Sequence, residues 1–142
     1  MPEDNKAAEP QNFLWETELL MHWLLDDDVY RQYKTVSEQG NRLTSLSSLA
    51  NVLCILSSIP EVNQRISEFL MRIKEEFFIV DMRADELERI NSVTSAAVKE
   101  NIRLGGDELV NCCLSGTWGC IIFTKDVPKF RVLLGQHNAI GL

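Results

Sequence analysis

The stretch from Ser58 to Gly106 constrains the chain more than any other. It opens S-I-P-E, with Ser58 placed to cap a helix, Pro60 in its first turn and Glu61 three residues after the cap. It closes at Gly105-Gly106, where positive φ is free to end a helix. Between Pro60 and Gly105 there is no glycine or proline. Ile66, Phe69, Leu70, Ile73, Phe77, Val80, Ala84, Leu87, Ile90, Thr94, Ala97 and Val98 recur there at three- and four-residue steps. One apolar stripe on a helical period follows. Opposite charges at i,i+4, such as Glu68–Arg72 and Asp85–Arg89, decorate the remainder. This pattern predicts one long helix over 59–104, or two with a bend.

At about 1.5 Å per residue such a rod outruns the diameter of a compact domain of 142 residues. Its stripe then needs a second long element or a second copy of the chain. Residues 42–57 supply a shorter partner, with Leu46, Leu49, Leu53 and Leu56 on an alternating three–four seam. A helical hairpin joined at Ser57–Pro60 is expected, the shorter arm covering part of the longer. Self-association as a homodimer through a coiled-coil-like face is expected for the rest. Its surface comprises Leu46, Leu49, Leu53, Leu56, Phe69, Ile73, Phe77, Val80, Leu87 and Ile90.

The other segments are read around that hairpin. Residues 1–10 are polar, bracketed by Pro2 and Pro10, and expected to be disordered. A helix over 12–26 follows, apolar nearly all round, and Asp26-Asp27-Asp28 end it because three carboxylates oppose the helix dipole. A second helix is expected over 28–39, and a short one over 107–114 behind Asp107. The texture then turns aromatic and β-branched at T-W-G-C-I-I-F-T. With K-F-R-V-L-L beyond a Pro-bearing turn, it predicts a β-hairpin over 117–134. Residues 11–142 thus read as one mainly α domain, a helical hairpin or bundle with a small terminal β element.

Function is less legible. Residues 1–40 hold nine acids and three bases, and residues 41–142 hold twelve acids and eleven bases. With no cluster of Lys and Arg to meet phosphates, nucleic-acid binding is not expected. No signal peptide is expected from M-P-E-D-N-K-A-A-E-P, and no apolar run is long enough to span a bilayer. A cytoplasmic location with reduced thiols, away from membranes, is the expectation.

Cys112, Cys113 and Cys120 lack the paired spacing of a zinc site, and only His22 and His137 could serve a nucleophilic cysteine as base. The Asp triplet lacks the alternation of a calcium loop. Glu18, His22 and Asp26 line one helix face without a second histidine to complete a metal site. No phosphate-binding or hydrolase motif occurs. No metal or cofactor is therefore expected. The reading is a non-enzymatic adaptor, chaperone or regulatory protein that meets a protein partner through Trp15, Leu19, His22 and Trp23, with Trp118 and Phe123 second, since tryptophan favours binding anchors. Two alternatives stand beside it: an acidic inhibitor that occupies a nucleic-acid-binding groove through residues 1–40, and a cysteine-dependent enzyme using Cys112 or Cys113.

Overall fold

The computed structural model describes residues 11–26, 28, 31–32 and 40–141. The expected disordered segment 1–10 and the expected helix over 28–39 lie outside this set, residues 28, 31 and 32 excepted. Strands and helices alternate: β1 (Gln11–Trp15), α1 (Thr17–Leu25), β2 (Gly40–Ser45), α2 (Leu46–Ser57), α3 (Pro60–Asn63), α4 (Ile66–Glu76), β3 (Phe78–Val80), a 3-10 turn (Ala84–Glu86) running into α5 (Leu87–Lys99), α6 (Gly106–Trp118), β4 (Cys120–Phe123), α7 (Val127–Leu134) and β5 (Ala139–Ile140). The five strands form one sheet in the order β3-β2-β1-β4-β5, and every pairing is parallel. This is an α/β fold. The expected helical bundle with a terminal hairpin is overturned.

The long rod does not exist. Its expected span is cut into α3, α4, β3, the 3-10 turn and α5, and the longest helices among the described residues have 13 residues. The break falls at Phe77, whose backbone turns extended at φ −125°, ψ 146°. Phe77-Phe78-Ile79-Val80 is an aromatic and β-branched run, which packs on a pleated surface better than on a helix. The three- and four-residue steps of the stripe run unbroken through it, so period alone hides the switch. Ser58 does not cap the next helix either; its Oγ donates to the Ile55 carbonyl at 2.6 Å and so serves the end of α2. The Ser45 side chain is the cap that operates, accepting from the Ser48 N–H at the start of α2.

The expected hairpin over 117–134 is also absent. β4 is a strand, but it lies between β1 and β5, and the segment after it is α7. Asp126 caps that helix by accepting from the Lys129 N–H, with Pro128 in the first turn.

Parallel strands are covered on both faces, and side chains alternate between two cores. From β1, Phe13 and Trp15 enter one core with Leu19, Trp23, Val52, Leu56, Phe69, Ile73, Phe77 and Phe123. Leu14 enters the other with Leu43, Val80, Cys112, Leu114, Ile122 and Phe130. Most of the surface expected to need a second copy is therefore covered by this chain itself. Leu49, Leu56, Phe69, Ile73, Phe77 and Val80 are buried, Leu53 and Ile90 are half-buried, and Leu46 and Leu87 are exposed.

Gly40 lies opposite Gln11 in the β1–β2 register. A Cβ there would stand 2.2 Å from the Gln11 carbonyl oxygen and 2.7 Å from the Phe13 ring. The obstacle is backbone, which cannot swing aside. Gly40→Ala is expected to cost about 1–3 kcal/mol, read as a lower urea midpoint; an unchanged midpoint would show that the two strands can part without cost.

Candidate active site

In an open parallel sheet, ligands settle outside the carboxyl ends of the strands where the strand order reverses. Here the chain moves from β1 outward through β2 to β3, and later fills the opposite side with β4 and β5. The reversal lies between β1 and β4. A cavity of about 380 Å³ is lined by Glu16, Thr17, Glu18, Met21, Asn51, Ile55, Asp107, Glu108, Asp126 and Lys129. Glu16 directly follows β1, and Asp126 lies three residues beyond β4. Asp107 and Glu108 come from the first turn of α6.

Each acid is held by the local fold. Glu16 caps α1 with extended backbone: its N–H donates to the Phe123 carbonyl at 3.1 Å, and its own carbonyl accepts from Leu20. Asp107 Oδ2 accepts from the Thr17 hydroxyl at 2.5 Å and from Asn51 Nδ2 at 3.4 Å, which ties α6 to α1 and α2. Glu108 is engaged through both oxygens. Oε1 accepts from the Gly105 N–H at 2.9 Å, and Oε2 accepts from the Lys129 ammonium at 2.6 Å. Lys129 also lies 4.0 Å from Asp126 Oδ2. Behind the cavity Asn111 Nδ2 donates to Ser48 Oγ at 3.0 Å, a buried pair fixing α6 against α2.

The electrostatics of the cavity follow from that crowding. Glu16 is 8% exposed, and burial lifts its carboxyl from 4.5 to about 7; Glu18, Glu108 and Asp107 push the same way, while the Lys125 backbone N–H opposes them. The hydrogen bond to Glu108 holds the Lys129 ammonium above the usual lysine range. The cysteines are poorly suited to attack. Burial pushes Cys112 up to about 12 and Cys120 to about 11, and raises Cys113 as well. All three are packed in the interior, and a thiol is a nucleophile only when ionised and reachable.

The residues expected to meet a partner are placed differently from one another. Trp15, Leu19, Trp23 and Phe123 are each 1% exposed in the first core. The Trp15 and Trp23 rings meet edge to face at 6.4 Å, and Phe77 touches both. His22 is half-buried with Nε2 2.5 Å from Lys125 Nζ. Trp118 is 49% exposed at the end of α6, from which Gly119 at φ 61° turns into β4. None of the cavity acids stood among the expected site residues. The signal for them was positional: Glu16 and Asp126 sit just beyond the apolar runs F-L-W and C-I-I-F.

No protein-family model matches the chain, and no curated protein matches it. Its fold does match solved structures. A chain of VapBC2 from Rickettsia felis, solved bound to a DNA fragment from the promoter, is 12% identical with a TM-score of 0.78 over 93% of this chain and 99% of that one. DNA-bound VapBC from Salmonella typhimurium gives 9% and 0.76 over 92% and 98%. FitAcB from Neisseria gonorrhoeae gives 11% and 0.74 over 90% and 96%.

These matches overturn the expectation of a non-enzymatic adaptor, since the fold is that of chains from VapBC and FitAcB complexes and not that of a helical adaptor. They also overturn the coiled-coil description. They remove the support for excluding nucleic acid, because two of these structures were solved with DNA. Among the described residues, no helix is long and apolar enough to cross a membrane. The chain has the α/β fold of the VapBC and FitAcB chains it matches, with five carboxylates and one ammonium lining the cavity at the reversal of its sheet.

Proposed function

We propose that this chain is a ribonuclease that hydrolyses a phosphodiester bond in the acidic cavity and is restrained by a protein partner, as toxin–antitoxin pairs are. The observation that carries the reading is the gathering of Glu16, Asp107, Glu108 and Asp126 from three separate segments at the topological switch point. Their local duties at helix starts do not require them to meet in one cavity. The convergence places like charges together at a cost to the fold, as reaction sites do.

Carboxylate-lined nuclease sites commonly work through divalent cations, and oxygen donors are what such hard ions take. As folded, the residues here do not fit one. Among the described residues no three acids are placed to hold a metal ion, and both oxygens of Glu108 are already engaged. The chain's own groups supply the following roles. Glu16, balanced near pH 7, takes the proton of the attacking water as its oxygen bonds to phosphorus and the phosphorus–oxygen ester bond breaks; the leaving oxygen takes a proton from solvent. Lys129 brings positive charge to a cavity whose carboxylates would otherwise repel the phosphate. Thr17 and Asn51 hold Asp107 in position, where its carboxylate orients the attacking water toward Glu16.

Single-stranded RNA incubated with purified protein tests this reading. Asp107→Asn is expected to lower cleavage by about 10²-fold or more with the fold retained, general acid–base and electrostatic contributions being of that size. Cleavage that persists at the wild-type rate in this variant would assign it to a contaminant and end the proposal.

A further inference from the structure

Resting on that reading of the cavity, we propose that Lys129 is its resident cation: the ammonium holds the place on Glu108 that a divalent ion needs, and thereby sets the site's preference among cations. Three observations combine. Lys129 Nζ reaches Glu108 Oε2 at 2.6 Å and Asp126 Oδ2 at 4.0 Å, and it also interacts electrostatically with Glu16. One ammonium thus faces three of the cavity's carboxylates. The Lys129 and Glu108 side chains are only 22% and 20% exposed, so the pair is far less screened than a surface ion pair. The backbone at Lys129 is also anchored, because its N–H caps onto Asp126 and Pro128 presets the turn before it. The ammonium is built into the first turn of α7.

The consequence for metal follows from atom counting. Glu108 Oε1 is committed to the Gly105 N–H and Oε2 to Lys129. A hard cation seeking Glu108 must displace the ammonium and tolerate its charge a few ångströms away, a repulsion that weakens binding by roughly tenfold or more at the effective dielectric of a half-buried site. Removing the ammonium frees Oε2 and leaves no cation among the described residues that line the cavity.

Direct titration with Mn²⁺, followed by the electron paramagnetic resonance signal of the free ion, reads this without any turnover. Lys129→Gln is expected to bind Mn²⁺ at least about tenfold more tightly than the wild type. Adding Glu108→Gln to that variant is expected to return the affinity to within about threefold of wild type. Equal affinity of Lys129→Gln and wild type overturns the proposal, as does a gain that survives the loss of Glu108. Circular dichroism verifies folding, and Lys129→Met, which keeps the aliphatic stem, replaces the Gln variant if that one fails to fold. Should neither fold, the wild type decides: dissociation weaker than about 0.1 mM supports the proposal, and a low-micromolar site overturns it. The two readings fail separately. RNA cleavage that depends on Asp107, with no gain of Mn²⁺ affinity on loss of Lys129, removes the resident cation and leaves the nuclease; the gain without any cleavage does the reverse.

Discussion

Glu16→Gln is expected to make the protein more stable at pH 8 and nearly inactive at every pH. The carboxyl of Glu16 lies at about 7 in the folded chain against an ordinary 4.5. Between those values the folded state keeps a proton that the unfolded state has released. Stability therefore falls as pH rises from 4.5 to 7 and stays at the lower level above, since unfolding then relieves a buried charge. At about 1.4 kcal/mol per pH unit the ceiling of the effect is about 3 kcal/mol, less whatever water reaches the cavity. The groups facing Glu16 are the carboxylates of Glu18, Asp107 and Glu108, the Lys125 N–H and the Lys129 ammonium. Only the last two favour the ionised form. Glutamine is neutral throughout, so the variant should match the wild type near pH 5 and exceed it by about 1–3 kcal/mol at pH 8. Urea unfolding at the two pH values measures this; an equal loss at both would mean that Glu16 matters to the fold only through its hydrogen bonds. Activity should move the other way. If the proposed nuclease reading holds, wild-type cleavage is expected to rise through pH 7 as Glu16 ionises, and the variant to lose about 10²–10³-fold with no such rise. Stability gained where activity is lost is the usual mark of a site assembled against the preference of the fold.

The fold was half-legible, and the reason lies in particular residues. Strands buried on both faces show no polar alternation, so N-F-L-W and F-F-I-V read as pieces of apolar helix. In β3 the confusion was complete, because Phe77 and Val80 prolong the spacing of Phe69 and Ile73. The one clue was composition: four consecutive aromatic or β-branched residues between Glu76 and Asp81. C-I-I-F was legible as a strand, but its partners were not, since a parallel neighbour lies more than a hundred residues away in β1 and leaves no turn signature. D-V-P-K-F carried a cap and a first-turn proline, yet a four-residue alternation outweighed them. The site was hidden for a related reason. Glu16, Asp107 and Asp126 each have an ordinary local duty at a helix start, and only the order of the strands reveals that the three starts open on one cavity.

Trp15→Ala is expected to cost about 3–5 kcal/mol, enough to unfold much of a population whose total stability is about 5–15 kcal/mol. Trp15 is the last residue of β1 and is 1% exposed. Its ring packs edge to face on Phe77 at 5.2 Å, tilts over Phe123 at 5.1 Å and meets Trp23 at 6.4 Å, joining β1 to β4, to α1 and to the end of α4. Aromatic pairs in such geometries add about 0.5–1.5 kcal/mol beyond the area they bury. The hole cannot close by small shifts, because three rings define its walls and the sheet fixes its floor. Trp118→Ala is the matched control: half-exposed at the end of α6, it should change stability by no more than about 1 kcal/mol. Urea titrations of both variants, with the slope monitored for constancy, separate the cases. A Trp15 loss no larger than that of Trp118 would mean that the aromatic cluster does not couple the strands. The same variant reports on the site, since Glu16 is the next residue. If the ring sets the angle at which β1 delivers that carboxyl, whatever folded protein remains should cleave RNA more slowly than the wild type, a loss that its stability alone would not account for.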